Sequence, residues 1–186
     1  MDDKVCPVAL AGGLDNSFRK LLQNPVEILK PYIKEGMTVL DFGCGPGFFT
    51  TGIAKLLADS GKVIAADLQN GMLEKIRQKT AGTCFENRIV LHKCEKDCIG
   101  INEKIDFILL FWMIHEVPNS IKLIENLMEL LNDGGMILIA EPKIHVTKKE
   151  FNKMAAKINE LKIQTEEGPK IFFSRTILLK KTTSPS

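Results

Sequence analysis

From about residue 25 onward, short apolar segments alternate with segments of helical periodicity, and this alternation limits the possible folds more than any other feature. The segments around Val63 and Phe107 are apolar on both faces, which is typical of strands that helices cover on both sides. We interpret five of the apolar segments as β-strands, at Thr38–Phe42, Val63–Asp67, Ile89–His92, Ile105–Trp112 and Met136–Glu141.

The segments between these strands have the spacing of amphipathic helices. Thr147 and Glu150 also form the sequence signature of a capping box, which marks the start of a helix. Strand–helix alternation of this kind predicts a doubly wound parallel sheet. The predicted helices are Phe48–Ala58, Gly71–Thr80, Ile121–Leu131 and a last one from the capping box to about Glu160.

The end of the chain departs from the alternation. Leu161–Thr165 and Ile171–Lys180 both have the character of strands, and Glu167-Gly168-Pro169 between them is a turn sequence. No helix fits in that gap, so the two strands must pair antiparallel. We therefore expect an α/β fold whose doubly wound, mostly parallel, seven-stranded Rossmann-like sheet is closed by a C-terminal antiparallel hairpin.

We expect three parts along the chain. Residues 1–36 form an N-terminal extension with a helix at Pro25–Ile33, and this extension is either a lid over a substrate or a flexible arm. Residues 37–181 form the main domain, and residues 182–186 form a disordered tail. A chain of 186 residues is long enough to bury a core of its own.

The composition excludes several classes of protein. The net charge of +2 gives no electrostatic reason to expect a nucleic-acid partner. No apolar run approaches the roughly 20 residues that a membrane-spanning helix needs, so we expect no membrane partner. Five cysteines without a signal-peptide pattern predict reduced thiols and a cytoplasmic location. The sequence does not indicate an oligomeric state.

Three alternate glycines stand between the first predicted strand and the first predicted helix, within Asp41–Gly47. Glycine tolerates positive φ and lets a ligand approach the backbone closely. The carboxyl end of a strand is also where open α/β sheets bind their ligands. The segment is therefore predicted to be a ligand-binding loop.

Two classes of cofactor can use such a loop. A dinucleotide fingerprint needs glycine at position 48, but Phe48 stands there and the glycine falls at position 47. Asp41 before the loop suits a cationic ligand better than a pyrophosphate. Asp67, at the tip of the second strand, can accept hydrogen bonds from ribose hydroxyls in either class. A phosphate-binding P-loop is excluded, because no Gly-Lys-Ser/Thr follows.

Five motifs carry a resemblance to a known family: VLDFGCGPGFFT (39–50), VIAADLQNGML (63–73), HKCEKD (92–97), IDFILLFWMIHEVPN (105–119) and LLNDGGMILIAEP (130–142). In this order the chain resembles the class I S-adenosylmethionine-dependent methyltransferases, especially the small quinone-biosynthesis and sterol-type enzymes. The resemblance covers about residues 25–180. It implies S-adenosyl-L-methionine as cofactor and S-adenosyl-L-homocysteine as product, and the terminal hairpin is similar to the last two strands of that fold.

The resemblance also implies which residues hold the cofactor. The loop would surround the methionine moiety, Asp67 would bind the ribose, and Leu68 with Met72 would contact the adenine. Glu95 stands where the family often has an acid for the adenine amino group, although Cys94 precedes it in place of the usual glycine. The candidate cofactor residues are Asp41, Gly43, Cys44, Gly45, Gly47, Asp67, Leu68, Met72, Glu95 and Phe111.

His115 and Glu116 follow the fourth strand and are the candidate catalytic residues, as a base or as a pair that orients the substrate. The alternative is that His115 only caps or supports the following loop. Glu141 and His145, after the fifth strand, are weaker candidates for the same roles. Because transfer from a sulfonium mainly needs alignment, a base is required only where the acceptor atom must lose a proton.

We expect a methyltransferase that transfers its methyl group in line to an acceptor that the sequence does not identify. We expect a small-molecule acceptor. Because no large insertion follows the fifth strand, the site is either one for a small molecule or an open one that receives a larger substrate. A non-catalytic S-adenosylmethionine-binding module and an NAD(P)-dependent oxidoreductase stay open as alternatives. We expect no metal site, since Cys94 and Cys98 have no further Cys–His pair to complete a tetrahedral set.

Overall fold

The computed structural model describes residues 22–96 and 98–182. Most of the predicted lid, residues 1–36, and most of the predicted disordered tail, residues 182–186, lie outside these ranges. In the described ranges, no helix has both the length and the apolar character that crossing a membrane requires.

The structure gives bounds for five α-helices and seven β-strands within the described residues. The helices are α1 Pro25–Leu29, α2 Phe48–Leu56, α3 Asn70–Thr80, α4 Ser120–Leu130 and α5 Lys148–Glu160. Two 3-10 helices cover Glu86–Arg88 and Ile114–Glu116. The strands are β1 Thr38–Phe42, β2 Lys62–Asp67, β3 Ile89–Lys93, β4 Ile105–Phe111, β5 Leu131–Pro142, β6 Gln164–Glu167 and β7 Ser174–Lys180.

The described residues up to Ile101 form one compact unit around three parallel strands in the order β3-β2-β1. Val63 of β2 pairs with Val39 on one side and with Ile89 on the other. Because β2 lies between its neighbours and under α2 and α3, its residues after Lys62 are all buried. This buried middle strand ends at Asp67, one of the candidate cofactor residues.

The described residues from Asn102 onward form the second unit, with strand order β4-β5-β7-β6. Strands β4 and β5 are parallel, whereas β7 runs antiparallel to both β5 and β6. The predicted C-terminal hairpin is therefore confirmed. So is the α/β class, since the seven strands of the described residues belong to one mixed, mostly parallel sheet.

Strand β5 begins five residues earlier than predicted, at Leu131 instead of Met136. Pairing with β4 moves from Ile105–Leu131 to Phe107–Met136, so the Asn132–Gly135 segment is an irregularity inside the strand. This segment has the composition of a turn, which explains the wrong prediction. The side chain of Asn132 holds the irregular part by donating to Oδ1 of Asp106 at 2.6 Å.

The two terminal strands are shifted and shortened relative to the prediction. The capping box is confirmed, because Thr147 Oγ1 accepts from the N–H of Glu150 at 3.2 Å while the Glu150 carboxylate accepts from the N–H of Thr147 at 2.8 Å. After α5, Lys162 takes a left-handed conformation with φ 58°. The chain therefore turns before β6 begins at Gln164, and β7 begins only at Ser174.

Candidate functional site

The loop after β1 folds back onto the end of β2. The N–H groups of Gly43 and Cys44 both donate to the carbonyl oxygen of Ala66, at 2.8 and 3.1 Å. Gly43, Gly45 and Gly47 have φ values of 72°, 52° and 79°. Residues with a side chain rarely adopt such angles, so the backbone path of the loop explains the three alternate glycines.

Two of these glycines differ in what surrounds them. A Cβ at Gly47 would lie 2.7 Å from Cγ1 of Ile76, so a side chain there would collide with α3. A Cβ at Gly45 would meet nothing within 4 Å. The backbone at Gly45 therefore borders open space, which a ligand needs if it is to approach the main chain.

Asp67 binds both the glycine loop and the segment that leads from β2 to α3. Its Oδ2 accepts from the N–H of Gly45 at 3.0 Å, and its Oδ1 accepts from the N–H of Gln69 at 2.9 Å. Burial raises the pKa of Asp67, while the backbone hydrogen bonds act in the opposite direction. Each carboxylate oxygen keeps a second lone pair, so the group can still accept from a ribose diol.

Asp41 lies under the loop with only 2% of its surface exposed. The hydroxyl of Thr50 donates to its Oδ2 at 2.6 Å. Burial raises the pKa of Asp41 to about 7, and the Thr50 hydrogen bond opposes this rise. Sequence reasoning missed Thr50, although its place in the first turn of α2 after a glycine loop was an available signal. Contact of Asp41 with the methionine moiety stays a prediction.

Cys44 of the loop and the three residues assigned to the adenine have different surroundings. Leu68 is 40% exposed beside Asp67, whereas Met72 is only 2% exposed and so offers little surface to a ring. Cys44 packs in the core cluster with Ile76. Glu95 is exposed, and its Oε1 lies 2.7 Å from Nζ of Lys93. The roles of all four in cofactor binding stay predictions.

In the second unit, β4 ends at two aromatic residues. The rings of Phe111 and Trp112 have centroids 5.3 Å apart, and Phe111 is buried. Trp112 has φ 59°, which is unusual for a bulky residue, and its Nε1 donates to Oγ of Ser174 at 2.9 Å. Strained residues of this kind cluster at functional sites. Sequence reasoning did not identify Ser174.

His115 is paired with Glu141 rather than with Glu116, its neighbour in sequence. Nδ1 of His115 lies 2.6 Å from Oε2 of Glu141, and the other oxygen of that carboxylate accepts from the N–H of Ile114 at 3.2 Å. Glu141 has no exposed surface. The hydrogen bond to Glu141 raises the pKa of His115, burial lowers it, and the charges of Glu141 and Glu116 raise it further.

A second histidine covers this pair. The ring of His145 stacks on His115 with 5.6 Å between centroids and 9° between planes. His145 itself is exposed, and it belongs to a turn in which its N–H and that of Val146 both donate to the carbonyl of Pro142. The three side chains thus form a titratable cluster of the second unit: His115, Glu141 and His145.

The cysteines show no sign of a metal centre in the ranges that the structure covers. No group of three or more His, Cys, Asp or Glu residues there could hold a metal ion. Cys94 is buried, and burial raises its pKa to about 12, so its thiol stays protonated and is a poor ligand. Cys98 is exposed and free.

The chain is similar in sequence and in fold to known proteins. The chain is 26% identical over 122 residues to the demethylmenaquinone methyltransferase of Staphylococcus aureus (strain MRSA252), covering 64% of this chain and 50% of that protein. It is 25% identical over 152 residues to the enzyme of the same name from Desulfitobacterium hafniense (strain Y51), covering 76% and 57%. The chain thus spans about half of the length of these relatives.

A solved structure has the same fold. A SAM-dependent methyltransferase from Aquifex aeolicus superimposes with a TM-score of 0.81 at 23% identity, over 94% of this chain and 97% of the other. Residues 33–176 match the family described as "Methyltransferase domain". That match favours the methyltransferase prediction over the oxidoreductase alternative, and it implies S-adenosyl-L-methionine as the cofactor. The chain therefore belongs to the class I S-adenosylmethionine-dependent methyltransferases.

Proposed function

We propose that the protein transfers the methyl group of S-adenosylmethionine, in line, to a small-molecule acceptor whose attacked atom carries a proton, and that His115 takes up this proton. The observation that carries the proposal is the 2.6 Å contact between Nδ1 of His115 and Oε2 of Glu141. The second product is S-adenosyl-L-homocysteine.

The pairing supports a base at Nε2 of His115. A carboxylate can only accept, so Nδ1 carries the hydrogen, and in the neutral ring Nε2 has the free lone pair. Glu141 is fixed from two sides, by the imidazole and by the N–H of Ile114, which restricts the ring to one orientation. In the reaction, the S–CH3 bond breaks, a bond from the methyl to the acceptor forms, and the released proton moves to Nε2.

The first unit, which contains the glycine loop, supports binding of the cofactor. Asp67 is oriented by two backbone N–H groups and can receive the ribose hydroxyls, and the backbone at Gly45 borders open space for the methionine moiety. S-Adenosylmethionine carries a sulfonium charge and an ammonium group, and the buried acid Asp41 lies in the same loop region. The proposed cofactor residues are those that the sequence indicated, with Thr50 as the support of Asp41.

The relatives suggest the first acceptor class to test. Both are named as demethylmenaquinone methyltransferases, so we propose a lipid-soluble quinol ring as acceptor. On the reduced ring, the attacked carbon carries a hydrogen that must leave as a proton after methylation. The His115–Glu141 pair would accept this proton. The free cysteines of the described residues support the further proposal that the protein works in the cytoplasm.

The test separates binding from chemistry. Calorimetry with S-adenosyl-L-homocysteine comes first, with NADH as the comparison ligand and Asp67→Ala as the variant. Transfer of labelled methyl from S-adenosylmethionine to a reduced short-chain demethylmenaquinone is then measured for wild type, His115→Ala and Glu141→Gln. We expect saturable binding of S-adenosyl-L-homocysteine but not of NADH. Turnover should fall by about two orders of magnitude in His115→Ala.

Two results would contradict the proposal in different ways. Tight cofactor binding without turnover on any reduced quinone or phenol would favour the non-catalytic module. Turnover that His115→Ala leaves unchanged would keep the methyltransferase and remove the base.

A further inference from the structure

Three large apolar side chains are exposed together in the second unit. Ile144 is 75% exposed, Phe172 50% and Phe173 46%. The N–H of Lys143 donates to the carbonyl of Phe173 at 2.9 Å, so the two segments that carry these side chains are neighbours. Within the described ranges, only Leu68 and Val90 are other large apolar residues with comparable exposure. The exposed apolar surface is thus concentrated at one place.

The backbone at this place is strained. Phe173 has φ 59°, in the left-handed region that bulky side chains avoid at a cost of roughly 1–2 kcal/mol. The neighbouring Ser174 is held by its N–H bond to the carbonyl of Ile171 at 3.1 Å and by the Nε1 of Trp112. The centroids of the Phe172 and Phe173 rings lie 4.9 Å apart. A strained backbone that keeps two aromatic rings at the surface indicates a functional surface.

Lysines accompany the apolar group. Lys143 precedes Ile144, Lys170 stands two residues before Phe172, and Lys148 begins α5. All three are exposed, and their side chains have no ion pair or hydrogen bond within the part of the chain that the structure describes. The neighbouring acid Glu150 accepts from Thr147 in the capping box, so its carboxylate is engaged there. We name the six residues the apolar-basic patch: Lys143, Ile144, Lys148, Lys170, Phe172 and Phe173.

We infer that the apolar-basic patch docks the protein onto the surface of a bilayer that contains anionic lipids. Exposed aromatic and aliphatic side chains enter the interface between headgroups and acyl chains, and unpaired lysines around them attract anionic headgroups. A second copy is disfavoured as the occupant, because a symmetric contact would place the same lysines against each other without acids to balance them.

The patch adjoins the titratable cluster of the same unit. Ile144 directly precedes His145, whose ring stacks on His115. A protein docked through this patch holds that cluster close to the bilayer, where a lipid-soluble acceptor is found. This link to the acceptor rests on the proposed function, but the docking itself does not. The sequence-based expectation of no membrane partner considered only membrane-spanning segments, and a surface patch falls outside that criterion.

Sedimentation with vesicles tests the inference without any acceptor. The full chain is mixed with vesicles of phosphatidylcholine alone or with 30% phosphatidylglycerol, and the bound fraction is measured at low and physiological salt. We expect binding to the anionic vesicles that salt weakens. Phe172→Ser/Phe173→Ser should bind at least tenfold more weakly, and Lys143→Gln/Lys170→Gln about 25-fold more weakly, since each of the two lysines near an anionic surface contributes about fivefold.

Matched controls exclude general effects of the substitutions. Val90→Ser removes an exposed apolar residue of the other unit, and Lys34→Gln/Lys157→Gln removes the same number of charges outside the patch. Both should bind vesicles like wild type. Thermal unfolding and binding of S-adenosyl-L-homocysteine show that each variant is folded. Because cofactor binding is measured without vesicles, a failure of the proposed function is seen independently of vesicle binding.

Two outcomes would overturn the inference. One is wild-type protein that sediments no more with anionic vesicles than without lipid. The other is equal binding by wild type and the patch variants. Self-association that Phe172→Ser/Phe173→Ser abolishes, measured by light scattering without vesicle binding, would assign the patch to a second copy instead.

Discussion

Nδ1 of His115 lies 2.6 Å from Oε2 of Glu141, although the two residues are 26 positions apart in the chain. The parallel pairing of β4 with β5 produces this contact, because it places Phe111 opposite Ala140. The residues that follow β4 therefore reach the end of β5, where Glu141 stands next. The backbone N–H of Ile114 donates to the same carboxylate. Glu141 therefore holds both the backbone after β4 and the side chain of His115 in place.

The pair predicts a dependence of stability on pH. Glu141 raises the pKa of His115 in the folded state above its unfolded value near 6.5. The imidazolium thus stabilises the fold fully below the unfolded pKa, and this contribution is lost as pH rises through the folded pKa. We expect Glu141→Gln to lower the free energy of unfolding more at pH 5.5 than at pH 9, measured by urea unfolding.

Glu116→Gln is the matched control for this prediction. Its charge also raises the pKa of His115, but as the smallest of the contributing causes, so its effect on the pH dependence should be much weaker. In the transfer assay, Glu141→Gln should also move the acid limb of the rate profile to lower pH, since His115 then loses its proton more easily. An unchanged pH dependence in Glu141→Gln would remove Glu141 from this role.

Asp67→Asn should weaken binding of S-adenosyl-L-homocysteine by about 10- to 100-fold, the usual effect of losing a hydrogen bond to a charged group. Both oxygens of Asp67 accept from backbone N–H groups, and an amide nitrogen cannot accept. In the variant, the side-chain NH2 group therefore faces the backbone N–H of either Gly45 or Gln69, and the ribose site loses its negative charge. Calorimetry measures the effect, and Glu35→Gln is the control, since Glu35 is an exposed acid with no assigned role in cofactor binding. Equal losses in both variants would place the ribose elsewhere.

Gly47→Ala should lower the free energy of unfolding by about 2–4 kcal/mol, because it combines a left-handed backbone with a collision against Ile76. Gly82→Ala is the matched control, since Gly82 has φ 72° and a Cβ there meets nothing within 4 Å. That variant should lose only the backbone part, about 1 kcal/mol. Urea unfolding of both measures the difference. If the two variants lose equal stability, the packing against α3 does not require glycine at 47.

Much of the fold follows from local sequence patterns. Strand β1 has the predicted bounds, and the helices after β1, β2 and β4 begin within one residue of the prediction. In each case apolar periodicity and glycine or capping residues agree. The start of β5 was not predictable in this way, because Asn132–Gly135 has turn composition and only its tertiary pairing keeps it in the strand.

The site shows the same division. The glycines and Asp67 follow from motif and position, since the chain direction alone brings the ends of parallel strands together. The partner of His115 does not follow, because sequence proximity favoured Glu116 and only the β4–β5 register selects Glu141. Met72 shows a further limit: its place five residues after Asp67 suggested contact with a ligand, but its position in α3 buries it.

Strand β7 places Arg175 opposite Glu141. Its Nη1 is buried and has no hydrogen-bond partner in the ranges that the structure describes, while Glu141 is occupied by His115 and Ile114. A buried donor without a partner destabilises a protein by about 1 kcal/mol or more. We expect Arg175→Met to raise the melting temperature by about 2–4 °C. Lys180→Met on the same strand removes an exposed pair with Glu166 and should change it little. A lower melting temperature in Arg175→Met would mean that the guanidinium stabilises the buried carboxylate of Glu141 electrostatically.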